Sequence, residues 1–274
     1  MGQKFGLHFG LNTVSDSLSK NFKKLKNAEN DAVAYNKICE DLGIETKCYL
    51  RENANSSNFI SELLSLSKKA NNGDFIFLTF SGHGSFVEDV NGDEEDGYDE
   101  ILVFYDRLVI DDEIFVQFSR FESGVKIFFV TDSCHSGSVS RILKMTNSNS
   151  INKNDEEYIV RGIDSEITEE IFRSNDIYRL IKNNINEKAI EVHSSIIHIS
   201  ACQDNQTAWD GNVVMKNGGF TSIFLEVWNN STFTGSYKRF FHNILNQMPP
   251  YQTPNYLTLG LPNESFESET PIKH

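Results

Sequence analysis

No apolar run in this chain approaches the ~20 residues that a membrane-spanning helix needs. The opening stretch, MGQKFGLHFG, has no basic-then-apolar layout, so no secretory leader is expected, and Gly6 stands where a myristoylation signal would carry Ser or Thr. Cysteine is sparse. Cys39, Cys48, Cys134 and Cys202 are too unevenly placed to suggest a disulfide scaffold. Positive charge is also short, with 25 Lys and Arg against 39 Asp and Glu. A net charge of −14 argues against a nucleic-acid binder, which normally presents a basic face, and favours a cationic partner. No internal repeat is visible. The expectation is a cytoplasmic protein with neither membrane nor nucleic acid as partner.

The chain does have enough apolar residues for a substantial core: 274 residues, 39% hydrophobic, with 21 Phe. Residues 4–12, 44–50, 75–80, 101–105, 125–131, 195–200 and 256–261 read as strands. Residues 28–42, 57–70 and 111–121 read as helices, as do 166 to about 185, 220–228 and 237–247. Strands alternating with amphipathic helices argue an α/β fold with a mostly parallel sheet covered on both faces. The Asn- and Ser-rich stretch 141–157 is the one good linker.

Two short motifs carry the chemistry. SGHG (81–84) follows the apolar run FIFLTF, and DSCHSG (132–137) follows VKIFFVT. Each therefore sits at the C-terminal tip of a buried strand, where open α/β sheets place their active groups. One tip offers His83 and the other Cys134, 51 residues later, a base and a nucleophile that only folding can join. His135 is a poor base for Cys134, because neighbours on an extended segment point to opposite faces. The Gly84 and Cys134 amides are candidates for an oxyanion hole. A zinc site built from His83, Cys134 and His135, with Cys202 as the spare ligand, is the metal alternative, and it needs tetrahedral geometry.

At these residues the chain resembles the caspase-fold cysteine peptidases, most closely the metacaspases and their bacterial relatives. FGLHFGLN, KNAENDA, GDEEDGYDE with VIDDE, ISACQDNQTAWD, GGFTSIFL and YQTPNY support the resemblance along nearly the whole chain. It implies a caspase-like fold, a six-stranded, mostly parallel sheet with helices on both faces. It divides the chain into a large-subunit-like part (1–140), a linker (141–165) and a small-subunit-like part (166–274), together one domain. It also implies a His83–Cys134 dyad that hydrolyses peptide bonds through an acyl-enzyme, with cleavage after Arg or Lys. Asp31 and Asp132, with Ser81 beside them, match the family's acidic substrate pocket, and Asp204 is a further acid at a strand end. Two carboxylates suit a guanidinium or ammonium and would repel a substrate Asp, which argues against a caspase-like Asp cutter.

Many relatives are switched by calcium. The matching acids are Asp99, Asp111 and Asp112, of the ligand type calcium prefers. The family's fourth acid falls at Arg141 here. The loop 89–100 imitates an EF-hand loop at several positions but has Glu94 where that loop needs Gly. Basic residues in or near the linker (Arg141, Lys144, Lys153, Arg161) would be substrates for an enzyme that cuts after them, and Lys144 and Arg161 are the first candidates for self-cleavage. The resemblance makes a monomer acting on protein or peptide substrates the expectation. The reading kept beside it is a catalytically silent caspase-like module acting by protein contact.

Overall fold

The computed structural model describes residues 2–88, 98–134, 159–163, 165–176, 190–203, 208–211 and 216–273, with 178, 181 and 185. Strands β1 (Lys4–Gly10), β2 (Glu45–Leu50) and β3 (Phe75–Ser81) lie in one sheet. Three further strands, labelled here with those of the smaller sheet in chain order, complete it: β7 (Lys126–Asp132), β8 (Ser195–Ser200) and β9 (Asn255–Gly260). The order is β2-β1-β3-β7-β8-β9, parallel throughout except for the antiparallel edge strand β9. This is the six-stranded, mostly parallel sheet that the resemblance implies. Every residue of β3 and β8 is buried, which is why FIFLTFS and SIIHIS read as continuous rather than alternating apolar runs.

Side chains alternate between the two faces. Phe77 and Phe128 stack on one face, where Tyr35 of α2 (Ala28–Asp41, which follows the one-turn α1, Asp16–Ser19) and Phe224 meet them and Phe240 packs on Phe224. The last two belong to the helices Gly219–Trp228 and Tyr237–Leu245. Ile76, Leu78 and Phe80 face the other way, into a core shared with Phe59 and Leu63 of α3 (Ser56–Lys69) and Ile114 and Phe118 of α4 (Asp111–Phe118).

One difference from the sequence reading lies on that second face. The single short strand expected at 101–105 is Tyr98–Val103 (β5), the middle of a three-stranded antiparallel sheet with β4 (Gly84–Glu88) and β6 (Leu108–Ile110). The added strands have only five and three residues, too short for a period-2 signal. Of the helix expected from 166 to about 185, α5 spans Ser165–Ser174 and much of the remainder lies outside the described residues. At the C-terminal edge of the main sheet, Gly10 pairs with Ser81 and Ser81 with Asp132, so three strand tips end level.

His8 is fully buried on β1, with Nδ1 3.0 Å from Thr79 Oγ1 and Nε2 3.4 Å from Cys39 Sγ. Burial pulls its pKa down from 6.5 to about 3. The unfolded chain therefore binds a proton below about pH 6.5 that the folded chain refuses. Stability should fall as pH drops from about 6.5 toward 3. His83, also pulled down by burial, adds to the loss with the same sign. Denaturant midpoints measured across this window should show a shallower acid limb for His8→Gln than for wild type. Parallel curves would refute the assignment to His8.

Candidate active site

The SGHG turn is tied to its neighbours through the backbone. The Gly82 N–H donates to the Asp132 carbonyl at 3.3 Å, and the Val103 N–H donates to the His83 carbonyl at 3.0 Å. The His83 ring is buried, edge-on to Phe22 at 5.7 Å between centroids, with Nε2 2.7 Å from the carbonyl oxygen of Lys23. A carbonyl only accepts, so Nε2 carries the proton and Nδ1 keeps the basic lone pair. Nδ1 is buried and, among the described residues, makes no direct hydrogen bond, although the Arg161 backbone lies close enough to favour the protonated ring. Burial lowers the His83 pKa, and the Lys23 carbonyl and the nearby Asp210 charge oppose that shift.

Cys134 lies just past the end of β7. A side chain at Gly84 would collide with the Cys134 carbonyl, so glycine lets the backbones of the two motifs touch. The thiol is completely covered. Sγ accepts from the Ala208 N–H and lies 3.3 Å from the Ala208 carbonyl oxygen. Burial, and then the neighbouring Cys202, push its pKa well above the ordinary thiol value. The fold thus brings the two motifs together without a hydrogen bond between His83 Nδ1 and Cys134 Sγ.

What covers the thiol is a piece of the chain's own second half. Residues 159–163 join two neighbours through isolated bridges, with a bend at Arg161. The Arg161 N–H donates to the Ala208 carbonyl and the Asp210 N–H to the Ile159 carbonyl, both at 3.0 Å, so Val160 pairs antiparallel with Trp209. On the other side the Gly84 N–H donates to the Arg161 carbonyl oxygen at 2.9 Å, and Gly84 pairs in parallel with Gly162. The Arg161 carbonyl therefore rests on one of the two amides expected to hold an oxyanion.

The Arg161 side chain, 0% exposed, fills a pocket of three carboxylates. Nη2 donates to Asp31 Oδ2 at 2.5 Å and to Asp210 Oδ1 at 2.9 Å. Nε donates to Asp210 Oδ1 at 3.0 Å. Nη1 donates to the Asp132 carbonyl at 2.9 Å and lies 2.9 Å from Asp132 Oδ1. The acids are braced in turn. Asp31 Oδ1 accepts from the Gly218 N–H and Asn217 Nδ2, Asp132 Oδ2 from the Thr221 hydroxyl and N–H, and Asp210 Oδ2 from the Lys26 N–H. Ser81 is buried beside Asp132 across the strand pair, with its hydroxyl making no hydrogen bond. Burial pushes the Asp31 and Asp132 carboxyls up against the pull of Arg161. Arg161 is itself held charged by the three acids despite burial.

The family model described as a caspase domain matches residues 15–264. The chain belongs to the caspase-domain family. A caspase-domain relative, metacaspase-1 of Schizosaccharomyces pombe, is 25% identical over 261 residues, covering 82% of this chain and 60% of the relative. Metacaspase-1 of Saccharomyces cerevisiae (strain ATCC 204508 / S288c) is 40% identical over 88 residues, 30% of this chain and 20% of that protein. The chain thus spans less than two thirds of the length of these relatives. The crystal structure of protein GSU0716 from Geobacter sulfurreducens superposes with a TM-score of 0.83 at 32% identity, covering 98% of each chain. The caspase-like fold is shared along its whole length.

A second group of acids lies on the small sheet. Asp99 on β5 and Asp111 and Asp112 at the start of α4 each place an oxygen within 4.8 Å of the others. Asp112 Oδ2 is buried with no hydrogen-bond partner among the described residues, and burial with the charges of Glu100 and Asp99 pushes Asp111 well above the usual carboxylate range. These residues fit a divalent cation. Among the described residues no other group of three or more such side chains converges in this way, so His83, Cys134 and Cys202 do not converge on a metal by themselves, and His135, the remaining ligand of the zinc alternative, lies outside the described residues. His135, Asp204, Arg141, Lys144, Lys153 and most of the loop 89–100 lie outside the described residues.

Sequence reasoning missed Asp210. It stands at the end of ISACQDNQTAWD, a stretch already singled out, and the acid weighed there was Asp204. It also assigned Arg161 to a linker running to residue 165, whereas 159–163 pack into the site. Breaking this buried cluster should be costly, because Arg161→Ala leaves three acids without their cation. A loss of about 3–5 kcal/mol in denaturant unfolding is expected, partly recovered by agmatine, a free guanidinium of similar reach. An unchanged midpoint would show that the acids do not depend on Arg161.

Proposed function

We propose that this protein is a cysteine endopeptidase that cuts peptide bonds after Arg, and after Lys less readily, and that it cuts itself between Arg161 and Gly162. The observation that carries this reading is the placement of Arg161. Its guanidinium sits on Asp31, Asp132 and Asp210, and its carbonyl accepts from Gly84 beside Cys134. That is the arrangement a substrate residue would take on the N-terminal side of a scissile bond.

In the proposed reaction His83 Nδ1 takes the Cys134 proton and the thiolate attacks the Arg161 carbonyl carbon. The Gly84 and Cys134 amides hold the charge that forms on the carbonyl oxygen. His83 returns the proton to the Gly162 nitrogen as the C–N bond breaks, and water then releases the acyl group from sulfur. Lys23 keeps the imidazole in the required tautomer through its carbonyl. Lys144 remains a second candidate for self-cleavage by its residue type alone. The covered thiol favours one other reading, a silent module, which hydrolysis would exclude.

Purified chain should show a cut after Arg161 by mass spectrometry and should hydrolyse fluorogenic peptides ending in Arg over Lys, and both well over Asp. Cys134→Ala should abolish both activities. Hydrolysis that survives Cys134→Ala, or a preference for Asp, would overturn the mechanism or the pocket respectively. A fully active chain that stays intact would overturn self-cleavage.

The Asp99, Asp111 and Asp112 group would hold calcium, whose charge relieves the repulsion among the carboxylates. Calcium should raise the melting temperature of Cys134→Ala protein by several degrees, following the linkage between binding and stability. Asp112→Asn should remove that rise. An equal rise in both proteins would place the ion elsewhere.

A further inference from the structure

Ile159, two residues before Arg161, lines an open cleft of about 610 Å³ together with Asn12, Lys23, Lys24, Leu25 and Lys26. Its character changes with depth. Ile159 is only 4% exposed and packs with Leu25 and Ala28 in a small apolar cluster of their own. Above that floor Lys23, Lys24 and Lys26 are exposed, three cations within four positions of a chain whose net charge is −14. The charge of the whole molecule would repel an acidic peptide, and this rim is a local exception.

The sequence that precedes Ile159 has the opposite charge: Asp155, Glu156 and Glu157, then Tyr158. An extended peptide advances about 3.3 Å per residue, so a chain continuing past the position of Ile159 has its second to fourth further residues roughly 7–13 Å away. That is comparable to the reach of lysine side chains on the rim plus one Debye length, about 8–10 Å at moderate salt, over which their field acts. The apolar floor fixes one position and the rim acts on those beyond it.

We propose that this cleft is the N-terminal half of the substrate channel. It selects an aliphatic residue two positions before the cleaved arginine and acidic residues four to six positions before it. This rests on the reading of Arg161 as a seated substrate residue and adds the substrate class to it: proteins with an acidic run leading into an aliphatic-X-Arg sequence. Leu25 and Ala28 set the aliphatic preference, and Lys23, Lys24 and Lys26 set the acidic one.

The test compares peptides carrying aminomethylcoumarin after the arginine, on the full chain as purified. DEEYIVR should be cut about five-fold more efficiently (kcat/KM) than NQQYIVR at low salt, since exposed ion pairs contribute modestly and additively. The ratio should approach one in about 0.5 M salt, and should fall below one for the Lys24→Glu/Lys26→Glu enzyme. DEEYSVR should be cut several-fold less well than DEEYIVR. Equal cutting of DEEYIVR and NQQYIVR at low salt would overturn this inference alone. Cutting of neither would overturn the endopeptidase reading beneath it.

Discussion

Three carboxylates meet one guanidinium in the interior of this protein, and the rest of the site is arranged around that meeting. Asp31 comes from the first turn of α2, Asp132 from the tip of β7, and Asp210 from the segment that also pairs with residues 159–161. Without a cation these acids would repel one another in a place water does not reach. With Arg161 fully ionised, three ionised acids would still leave a net charge of −2 there. The upward pull of burial on Asp31 and Asp132 acts against that excess, because a proton held by one of the acids brings the cluster nearer neutrality. The pocket is therefore built to hold a cation in any state in which it stays closed, whether that cation belongs to this chain or to another.

The segment that pairs with the cation's own stretch also covers the nucleophile. The Ala208 carbonyl accepts from the Arg161 N–H and its own N–H donates to Cys134 Sγ, so Ala208 touches both the seated peptide and the thiol. Burial then keeps the thiol protonated. A cysteine needs thiolate character to attack, and His83, already proton-poor at Nδ1, has the base ready without contact to the sulfur. A displacement of 208–210 would change the environment of the thiol, because Sγ accepts from the Ala208 N–H.

Much of this was legible in the sequence. The buried strands are continuous apolar runs, so β3, β7 and β8 fell where FIFLTF, VKIFFVT and SIIHIS stand, and the two motifs at their tips lay where the sheet ends. Asp31 was legible only through family resemblance. On its own it is an acid in the first turn of a helix, which the helix dipole would explain equally well. Asp210 was not legible, because its role depends on a strand pairing between 159–161 and 208–210 that no local pattern encodes. Arg161 was noticed as a basic residue near a polar linker. Nothing in composition shows that a charged residue beside such a stretch is completely buried, since its burial depends on acids 29, 49 and 130 positions away. The short strands β4 and β6 escaped for the opposite reason: they are too brief to show a period.

The seated side chain also separates arginine from lysine on geometric grounds. Three guanidinium nitrogens are in use: Nε and Nη2 share Asp210 Oδ1, Nη2 also reaches Asp31, and Nη1 reaches the Asp132 carbonyl. These acceptors lie around a planar fork whose donors are fixed in direction. A lysine ammonium has three donors, but they radiate from one point, so it can approach one side of the pocket only by leaving another acceptor unpaired. An acceptor left unpaired in a buried site costs about 1–3 kcal/mol, and more when it is charged. Under the proposed reading, that difference makes the pocket a guanidinium site that tolerates an ammonium, rather than a general site for positive charge.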